Sequence, residues 1–361
     1  MSARIAHQPR RGIAVALAPL LVTALVLVGQ GKAAAGDADE AATDSPATQA
    51  AGPRQIVAKP FARLQKPPKG SEALPVPESP AFNRKGDLYW VTVWGYKGFS
   101  LYKTNLHSKK STGVKVTDPL NPAWAPAFVA IAFHKDGSLY AADFAGQKIV
   151  KIDTTTWTST DVLTRAQTGA ATFYPDDLVF DNAGNLFITD LQGDVTNPKG
   201  RIYRYSASGQ LSVVVDHLAS PNGIALSPDQ KELWFSEYHA NRLVRAGLDP
   251  DGSVTEFPYF SLIEVIANFG GPGLPDSLKV DRKNNVYQAF YRGGHLLVLS
   301  EYGEHLAEVT LQGGSEEFRQ TTNLVIKPGT RKAYLIAGGT GGARFYSFTA
   351  LNKAPKPFSH R

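Results

Sequence analysis

The sequence predicts an all-β fold, a six-bladed β-propeller, and three observations carry that prediction. Polar turns recur along the chain, and strand-like segments follow each of them: Lys85-Gly86, Asp136-Gly137, Ala183-Gly184, Asp229-Gln230, Lys283-Asn284 and Gly329-Thr330. The second residue of each turn lies 51, 47, 46, 54 and 46 positions after the one before it, by subtraction. The segments are dense in Val, Ile, Tyr, Phe and Trp and alternate apolar with polar residues, without long helical periodicity. Six units of four short strands at this period form a propeller, whereas a β-sandwich lacks such long-range self-similarity.

The first 35 residues have the composition of a secretory signal peptide. Three arginines precede an apolar run at positions 13–28, and three alanines at 33–35 offer a small-residue cleavage site. The alternative is a retained membrane anchor, but the run is shorter than the ~20 residues that a membrane span requires. We therefore expect export through the general or the twin-arginine route.

Domain boundaries follow from composition. Residues 36–53 are rich in Ala, Asp, Thr and Gly and predict a disordered tether. Residues 54–352 are the expected propeller, because about 300 residues suffice for one large core. Residues 353–361 are left as a C-terminal tail.

Cysteine content and charge limit the cellular context and the partners. The chain has no cysteine and a formal net charge of +6, with basic residues scattered outside the leader. No disulfide can stabilise it, which favours a bacterial periplasmic or secreted protein over a small disulfide-rich scaffold. Scattered charge does not predict nucleic-acid binding. We expect a monomer without membrane contact once the signal peptide is removed.

A proline followed by an oxygen-bearing side chain opens four of the predicted units. The four steps are Pro77-Glu78, Pro175-Asp176, Pro221-Asn222 and Pro275-Asp276. Each precedes the first strand of its unit, the strand that lines the channel of a propeller. The four side chains should therefore meet at one mouth of the central channel. Val129 and Thr322 stand at the equivalent positions of the other two units.

The expected cluster predicts a site for one divalent cation. Three carboxylates and an amide repel one another unless a cation lies between them. Oxygen ligands without Cys or neighbouring His favour Ca²⁺, with Mg²⁺, Mn²⁺ or Zn²⁺ as alternatives. The competing interpretation is that Asp and Asn cap turns by bonding their own backbone. Turn capping explains each residue taken alone, but it does not explain four at equivalent places.

Several longer motifs resemble the gluconolactonase, senescence-marker-protein and luciferin-regenerating-enzyme-like family. They are Ser220-Pro-Asn-Gly-Ile-Ala-Leu-Ser-Pro-Asp229, Leu233-Trp-Phe-Ser-Glu237, Pro175-Asp-Asp-Leu-Val-Phe-Asp181 and Gly271-Pro-Gly-Leu-Pro-Asp-Ser277. The likeness is strongest from about residue 173 to 312, and Thr189-Asp-Leu-Gln-Gly193 is similar to the drug-responsive bacterial lactonase branch.

The resemblance implies a hydrolase that opens the ester ring of a lactone with a catalytic divalent ion. The residues matching Glu78, Asp176, Asn222 and Asp276 would hold the ion, with Ser277 close by, and Asp276 would be the acid/base group. Asp177 is our second candidate for proton transfer or substrate contact. The resemblance does not extend to the branch's second, structural Ca²⁺, because the corresponding loop reads Phe144-Ala-Gly-Gln147.

Two other functions stay open at this point. The chain could be a non-catalytic exported propeller that binds a ligand or a cell-envelope partner and uses its ion structurally. It could also be a related propeller enzyme that acts on a different bond.

Overall fold

The computed structural model describes residues 52–67, 69, 73–314 and 316–361 of the 361-residue chain. The predicted signal peptide and all but the end of the predicted tether lie outside the described residues. In the described part, helix is limited to one turn of α-helix and two of 3₁₀ helix: α1 (Arg165–Thr168), Glu316–Phe318 and Phe358–His360. No helix among these residues is long and apolar enough to cross a membrane.

The fold is all-β and propeller-like, as the strand-rich sequence predicts. An opening strand, β1 (Arg54–Gln65), precedes the repeating units. The first unit contains β2 (Pro77–Phe82), β3 (Leu88–Tyr96), β4 (Phe99–Thr104) and β5 (Ser111–Val114). The second contains β6 (Phe128–Phe133), β7 (Leu139–Asp143), β8 (Lys148–Ile152) and β9 (Ser159–Thr164). The third contains β10 (Pro175–Phe180), β11 (Leu186–Asp190), β12 (Gly200–Tyr205) and β13 (Leu211–Leu218).

The remaining strands complete the chain. The fourth unit contains β14 (Pro221–Leu226), β15 (Glu232–Glu237), β16 (Arg242–Gly247), the hairpin strands β17 (Glu256–Phe257) and β18 (Phe260–Ser261), and β19 (Ile263–Asn268). After it come β20 (Leu274–Val280), β21 (Val286–Tyr291), β22 (His295–Leu299) and β23 (His305–Leu311). The last strands are β24 (Gln320–Ile326), β25 (Lys332–Gly339) and β26 (Gly342–Thr349).

The hydrogen-bonded sheets differ from the six separate blades that the sequence predicts. Four units form separate four-stranded sheets, while β20–β26 and β1 form one eight-stranded sheet. The cause is β1, which pairs antiparallel with β26 through its second half and parallel with β23 through its first half. A contact between Tyr291 of β21 and Gln320 of β24 joins the same strands again. The prediction of six separate sheets was therefore wrong.

The first strand of each unit lies on the inside of the fold. These inner strands contact one another in a closed cyclic order: β2, β6, β10, β14, β20, β24 and back to β2. Each pairs antiparallel with the strand that follows it along the chain. The closed order brings residues at equivalent positions of the six strands to one level of the ring.

Every inner strand carries a β-bulge near its start. In β10, Pro175 pairs with Asp190 and Leu178 with Ile188, so three steps oppose two. The same one-residue excess occurs in β2, β6, β14, β20 and β24. A bulge leaves one residue out of the ladder and redirects the neighbouring side chains. In β10, β14 and β20 the displaced segment contains the predicted ion-binding residue, and in β2 it directly follows Glu78.

The turn after each inner strand adopts the backbone conformation that its sequence predicts. A left-handed residue occurs in all six turns: Gly86, Gly137, Gly184, Gln230, Asn284 and Gly329. Asp281 fixes one of these turns by accepting hydrogen bonds from the backbone N–H groups of Lys283 and Asn285. Asp281 is thus a structural residue of this turn.

The first half of β1 covers an edge that the fold would otherwise expose. Residues 54–58 pair with β23, and Ala58 is buried in the core beside that strand. We predict that a chain beginning at residue 59 melts a few degrees below one beginning at residue 52 and tends to associate through β23, since free strand edges pair with other chains. Calorimetry and analytical ultracentrifugation of the two variants test this. Equal melting temperatures and equal sedimentation would show that the covering strand is dispensable.

Candidate active site and cation site

The four predicted ion-binding side chains converge at one level of the inner-strand ring. Glu78, Asn222 and Asp276 are 8%, 5% and 5% exposed, and Asp176 is half-buried. The carboxyl groups of Glu78, Asp176 and Asp276 are close enough to raise one another's pKa values. The convergence predicted from the sequence is therefore present, while the ligand roles stay a prediction.

Burial and mutual repulsion dominate the electrostatics of this cluster. Loss of water contact, followed by the charges of Asp276 and Asp176, raises the pKa of Glu78 well above its ordinary value. Burial and then Asp176 raise the pKa of Asp276 in the same way. Burial and the neighbouring Asp177 raise the pKa of Asp176 to about 8. Among the described residues, no Lys, Arg or His forms an ion pair with Glu78, Asp176 or Asp276.

Asn222 and Asp276 are brought together by a close approach of two backbones. A Cβ atom on Gly223 would lie 2.6 Å from Cα of Ser277 and 2.7 Å from the carbonyl oxygen of Asp276. Only glycine fits at this distance, so β14 and β20 touch next to Asn222 and Asp276. The Asn222 side chain also bonds to the Asp276 carboxylate, which opposes the rise in the pKa of that group.

Hydroxyl groups connect backbone segments of neighbouring strands around part of the ring. Thr189 Oγ1 accepts the N–H of Asp177 and donates to the carbonyl of Asn222, at 2.9 and 2.6 Å. Ser236 Oγ repeats the pattern one strand on, accepting from Gly223 at 2.9 Å and donating to the carbonyl of Asp276 at 2.8 Å. These bonds satisfy backbone groups that the bulges remove from the ladder. They also fix the spacing between the ring positions.

Ser277 and Asp177, the two residues that follow ring positions, are buried at 3% and 2% exposure. The backbone N–H of Ser277 donates to Asp276 Oδ1 at 3.0 Å and so orients that carboxylate. The carboxylate of Asp177 instead faces the interior of the channel, where it accepts the backbone N–H of Leu178 at 2.8 Å and Nζ of Lys279 at 3.2 Å. Asp177 thus lies beside the cluster, but its carboxylate forms its hydrogen bonds on the side of the channel that faces away from the cluster.

A cavity of about 230 Å³ occupies the channel on that far side. Asp177 and Lys279 belong to its lining, together with apolar side chains of the inner strands. The last residues of the chain also contribute to the lining, and Phe358 packs against Phe180 with ring centroids 5.5 Å apart. The channel is therefore partly filled from the side opposite the carboxylates.

Sequence reasoning did not single out Lys279, Tyr238 or Tyr291. Tyr238 directly follows β15 and Tyr291 is the last residue of β21, the second strand of the next unit, with ring centroids 6.3 Å apart. Burial, with the charge of Asp276 next for Tyr238, raises the pKa values of both phenols, so both are neutral donors in ordinary buffers. Arg292 lies 5.6 Å from the Tyr291 ring. The two tyrosines occupy similar places at the ends of the aromatic second strands of their units. This shared place in the sequence was the signal that could have identified them.

The residues present suit a hard divalent cation. Asn222 Oδ1 is buried and has no hydrogen-bond donor, and it belongs to the same ring as three buried or half-buried carboxyl groups. An oxygen-only donor set of this kind fits Ca²⁺. Within the described ranges, no three or more His, Cys, Asp or Glu side chains are gathered tightly enough to form a metal cluster by themselves. Any ion would therefore draw the carboxylates inward and use the amide oxygen as well.

Comparison of the sequence with known proteins identifies a family and individual relatives. The profile described as the SMP-30/gluconolactonase/LRE-like region matches residues 76–334. Lactonase drp35 of Staphylococcus aureus (strain bovine RF122 / ET3-1) is 31% identical over 311 residues, which are 84% of this chain and 90% of that protein. Lactonase drp35 of Staphylococcus saprophyticus is also 31% identical, over 312 residues and the same shares.

Solved structures share the fold at lower identity. Regucalcin of Agrobacterium tumefaciens, described as a calcium-binding protein, has a TM-score of 0.66 at 18% identity over 84% of this chain and 99% of that one. A gluconolactonase from Xanthomonas campestris has a TM-score of 0.60 at 17% identity over the same shares. These similarities establish a common propeller-like architecture.

We predict that, in the presence of a chelator, the free energy of unfolding falls as pH rises from about 4 to about 8. The carboxyl group of Asp176 binds its proton up to about pH 8 in the folded protein but, as for an ordinary Asp, only to about pH 4 when unfolded. The folded state therefore holds more protons in this window, and its stability is full below about pH 4 and is lost as pH rises. Glu78 and Asp276 act in the same direction.

Urea unfolding across this pH window measures the effect. Asp176→Asn is the control, because an amide has no proton to lose and the variant should show a shallower pH dependence. A wild-type stability that rises or stays level between pH 4 and 8 would contradict the prediction.

Proposed function

Because the chain belongs to the SMP-30/gluconolactonase/LRE-like family, we propose that it is a lactonase, a hydrolase that opens the ester ring of a lactone at the carboxylate ring of Glu78, Asp176, Asn222 and Asp276. Family membership itself supports a lactone-hydrolysing function. The observation that carries the proposal is the gathering of uncompensated carboxyl groups around an unpartnered amide oxygen at one end of the channel. Purely structural positions are rarely built from repelling charges.

A divalent cation, in our proposal Ca²⁺, would be held by Glu78, Asp176, Asn222 and Asp276, with Ser277 close by. When bound, it supplies Lewis-acid polarisation of the ester carbonyl and compensation for the negative charge of the site. The name of the similar regucalcin structure, a calcium-binding protein, supports this choice of metal. The unpartnered Asn222 Oδ1 and the oxygen-only donor set support it independently.

Asp276 is the proposed acid/base group. It would take a proton from the attacking water as the new C–O bond forms, and return it to the ring oxygen as the ester C–O bond breaks. The product is the open hydroxy acid, so one water is consumed per lactone. Without an ion, burial and the charge of Asp176 raise the pKa of Asp276, and a bound cation would lower it again. The N–H of Ser277 and the amide of Asn222 hold the group in one orientation.

The residues around the ring would bind and enclose the substrate. Tyr238 and Tyr291 are neutral phenols beside Asp276 and can donate hydrogen bonds to lactone oxygens. Asp177 is the second candidate for proton transfer, although its carboxylate already accepts hydrogen bonds from Leu178 and Lys279. We therefore assign proton transfer to Asp276 first.

Substitution of the central carboxylates tests the proposal. We predict that Asp276→Asn and Glu78→Gln each lower kcat for lactone hydrolysis by at least about 100-fold, the usual contribution of a general acid/base or metal-binding group. Circular dichroism should show an intact fold, since both substitutions remove repulsion from the ring. Asp251→Asn, in an exposed turn, is the matched control and should retain wild-type turnover. Near-normal turnover in both ring variants would end the hypothesis.

Metal removal separates the enzyme from the alternative of a non-catalytic propeller. We predict that a chelator abolishes hydrolysis of a small lactone panel and lowers the melting temperature, and that added Ca²⁺ restores both. The loss of stability follows because the ion offsets carboxylate repulsion. A protein that hydrolyses none of the lactones before chelation, and only melts earlier after it, would instead contain a structural ion.

A further inference from the structure

Asp177 is adjacent to a ring position but is turned away from the ring. Its Oδ1 accepts the N–H of Leu178 at 2.8 Å, and its Oδ2 accepts the N–H of Ile224 at 3.4 Å and Nζ of Lys279 at 3.2 Å. Three donors on three inner strands thus hold the carboxylate in the channel. Its charge still acts on the ring, because it contributes to the raised pKa values of Glu78, Asp176 and Asp276.

Lys279 is exceptional at its level of the ring. Lys279 is the second-to-last residue of its inner strand, and the residues at that place in the other five strands are small and apolar: Ala81, Ala132, Val179, Ala225 and Val325. A lysine in the same place is not explained by packing, because the fold accepts alanine there on three strands. The Lys279 ammonium forms an ion pair with Asp177 across the channel. Both residues line the 230 Å³ cavity. The position of Lys279 suits it to act on that one carboxylate.

We propose that Lys279 is a positioning residue that keeps the Asp177 carboxylate out of the coordination shell of the ring cation and so leaves a position open for the lactone oxygen. The inference rests on the proposed function, since it presumes an ion at the ring. A carboxylate within a few ångströms of a divalent cation is strongly attracted to it in a poorly hydrated interior. The ion pair with Lys279 holds the Asp177 carboxylate away from the ring. The hydrogen bonds from the backbone N–H groups of Leu178 and Ile224 stabilise the same orientation.

The consequence concerns the number of protein ligands. Ca²⁺ accepts roughly 6 to 8 oxygen atoms, so Asp177 can enter its shell as a fourth acidic side chain beside Glu78, Asp176 and Asp276. A catalytic ion needs an open position, whereas a structural ion is enclosed by protein. Removing the lysine should therefore convert an open site into a more closed one that binds Ca²⁺ more tightly and hydrolyses more slowly.

Calorimetric titration of Ca²⁺ into Lys279→Ala tests the proposal, with lactone hydrolysis as the second readout. Alanine is chosen because three equivalent strands already carry it, and Lys279→Arg preserves the charge if the alanine variant fails to fold. We expect Lys279→Ala to bind Ca²⁺ about tenfold more tightly than wild type, with kcat reduced about tenfold or more. Lys279→Arg should stay near wild type in both measurements. Lys283→Met, an exposed lysine four residues on, is the matched control and should change neither.

The same substitution in an Asp177→Asn background separates recruitment of Asp177 from the simple loss of a nearby positive charge. If Asp177 enters the shell, removing Lys279 has little effect on Ca²⁺ affinity once the carboxylate is gone. An equal gain of affinity in both backgrounds would overturn the proposal, and so would an unchanged affinity in the single variant. An affinity for Ca²⁺ lost on changing Lys279 to Arg would also contradict it.

Failure of the proposed function gives a different result. In that case wild type itself binds no Ca²⁺ at the ring and hydrolyses no lactone, and the inference falls together with its premise. Wild type that binds Ca²⁺ and hydrolyses lactones, but does not respond to the loss of Lys279, contradicts the inference alone.

Discussion

Repulsion among buried carboxyl groups is the constraint on which the rest of the structure depends. Glu78, Asp176 and Asp276 share one level of a closed ring of strands, and burial together with mutual charge disfavours their ionised forms. A protein interior does not tolerate such a group without protons or a cation. This need for protons or a cation is the reason why we propose a hard divalent ion at the channel mouth.

The backbone is built to impose that constraint. A one-residue bulge lies at the ring position of five inner strands and directly after it in β2, and Thr189 and Ser236 tie displaced backbone segments to one another. Gly223 allows two strands to touch where Asn222 meets Asp276. Irregularities that look local thus act together to hold a charged cluster in a fixed geometry. The regular ladders outside the ring provide the rigidity that this requires.

Sequence reasoning located the ring positions because a proline-plus-oxygen step is visible in one chain and repeats at a measurable period. It also placed the turns correctly, since glycine and asparagine at left-handed positions are a local signal. It failed on the number of sheets, because β1 pairs with both β23 and β26. These pairings join residues that are far apart in the chain, and the sequence repeat contains no signal for them. Lys279 was not identified from the sequence, because it is unusual only in comparison with the small apolar residues at the same place on the other inner strands. Export and cleavage near residue 35 stay predictions, since those residues lie outside the described part of the chain.

The pairing of β1 has a further consequence for the order in which the chain can fold. Arg54 pairs with Ala307, 253 positions later by subtraction, and Lys59 pairs with Ser347 still further on. Contacts over such distances form late, because much of the loop entropy must be lost before they stabilise anything. The ring cannot close on the ribosome while synthesis continues. Before that point only strands that are neighbours in the sequence can pair. The two ends of the chain can pair only after the last strand has been synthesised.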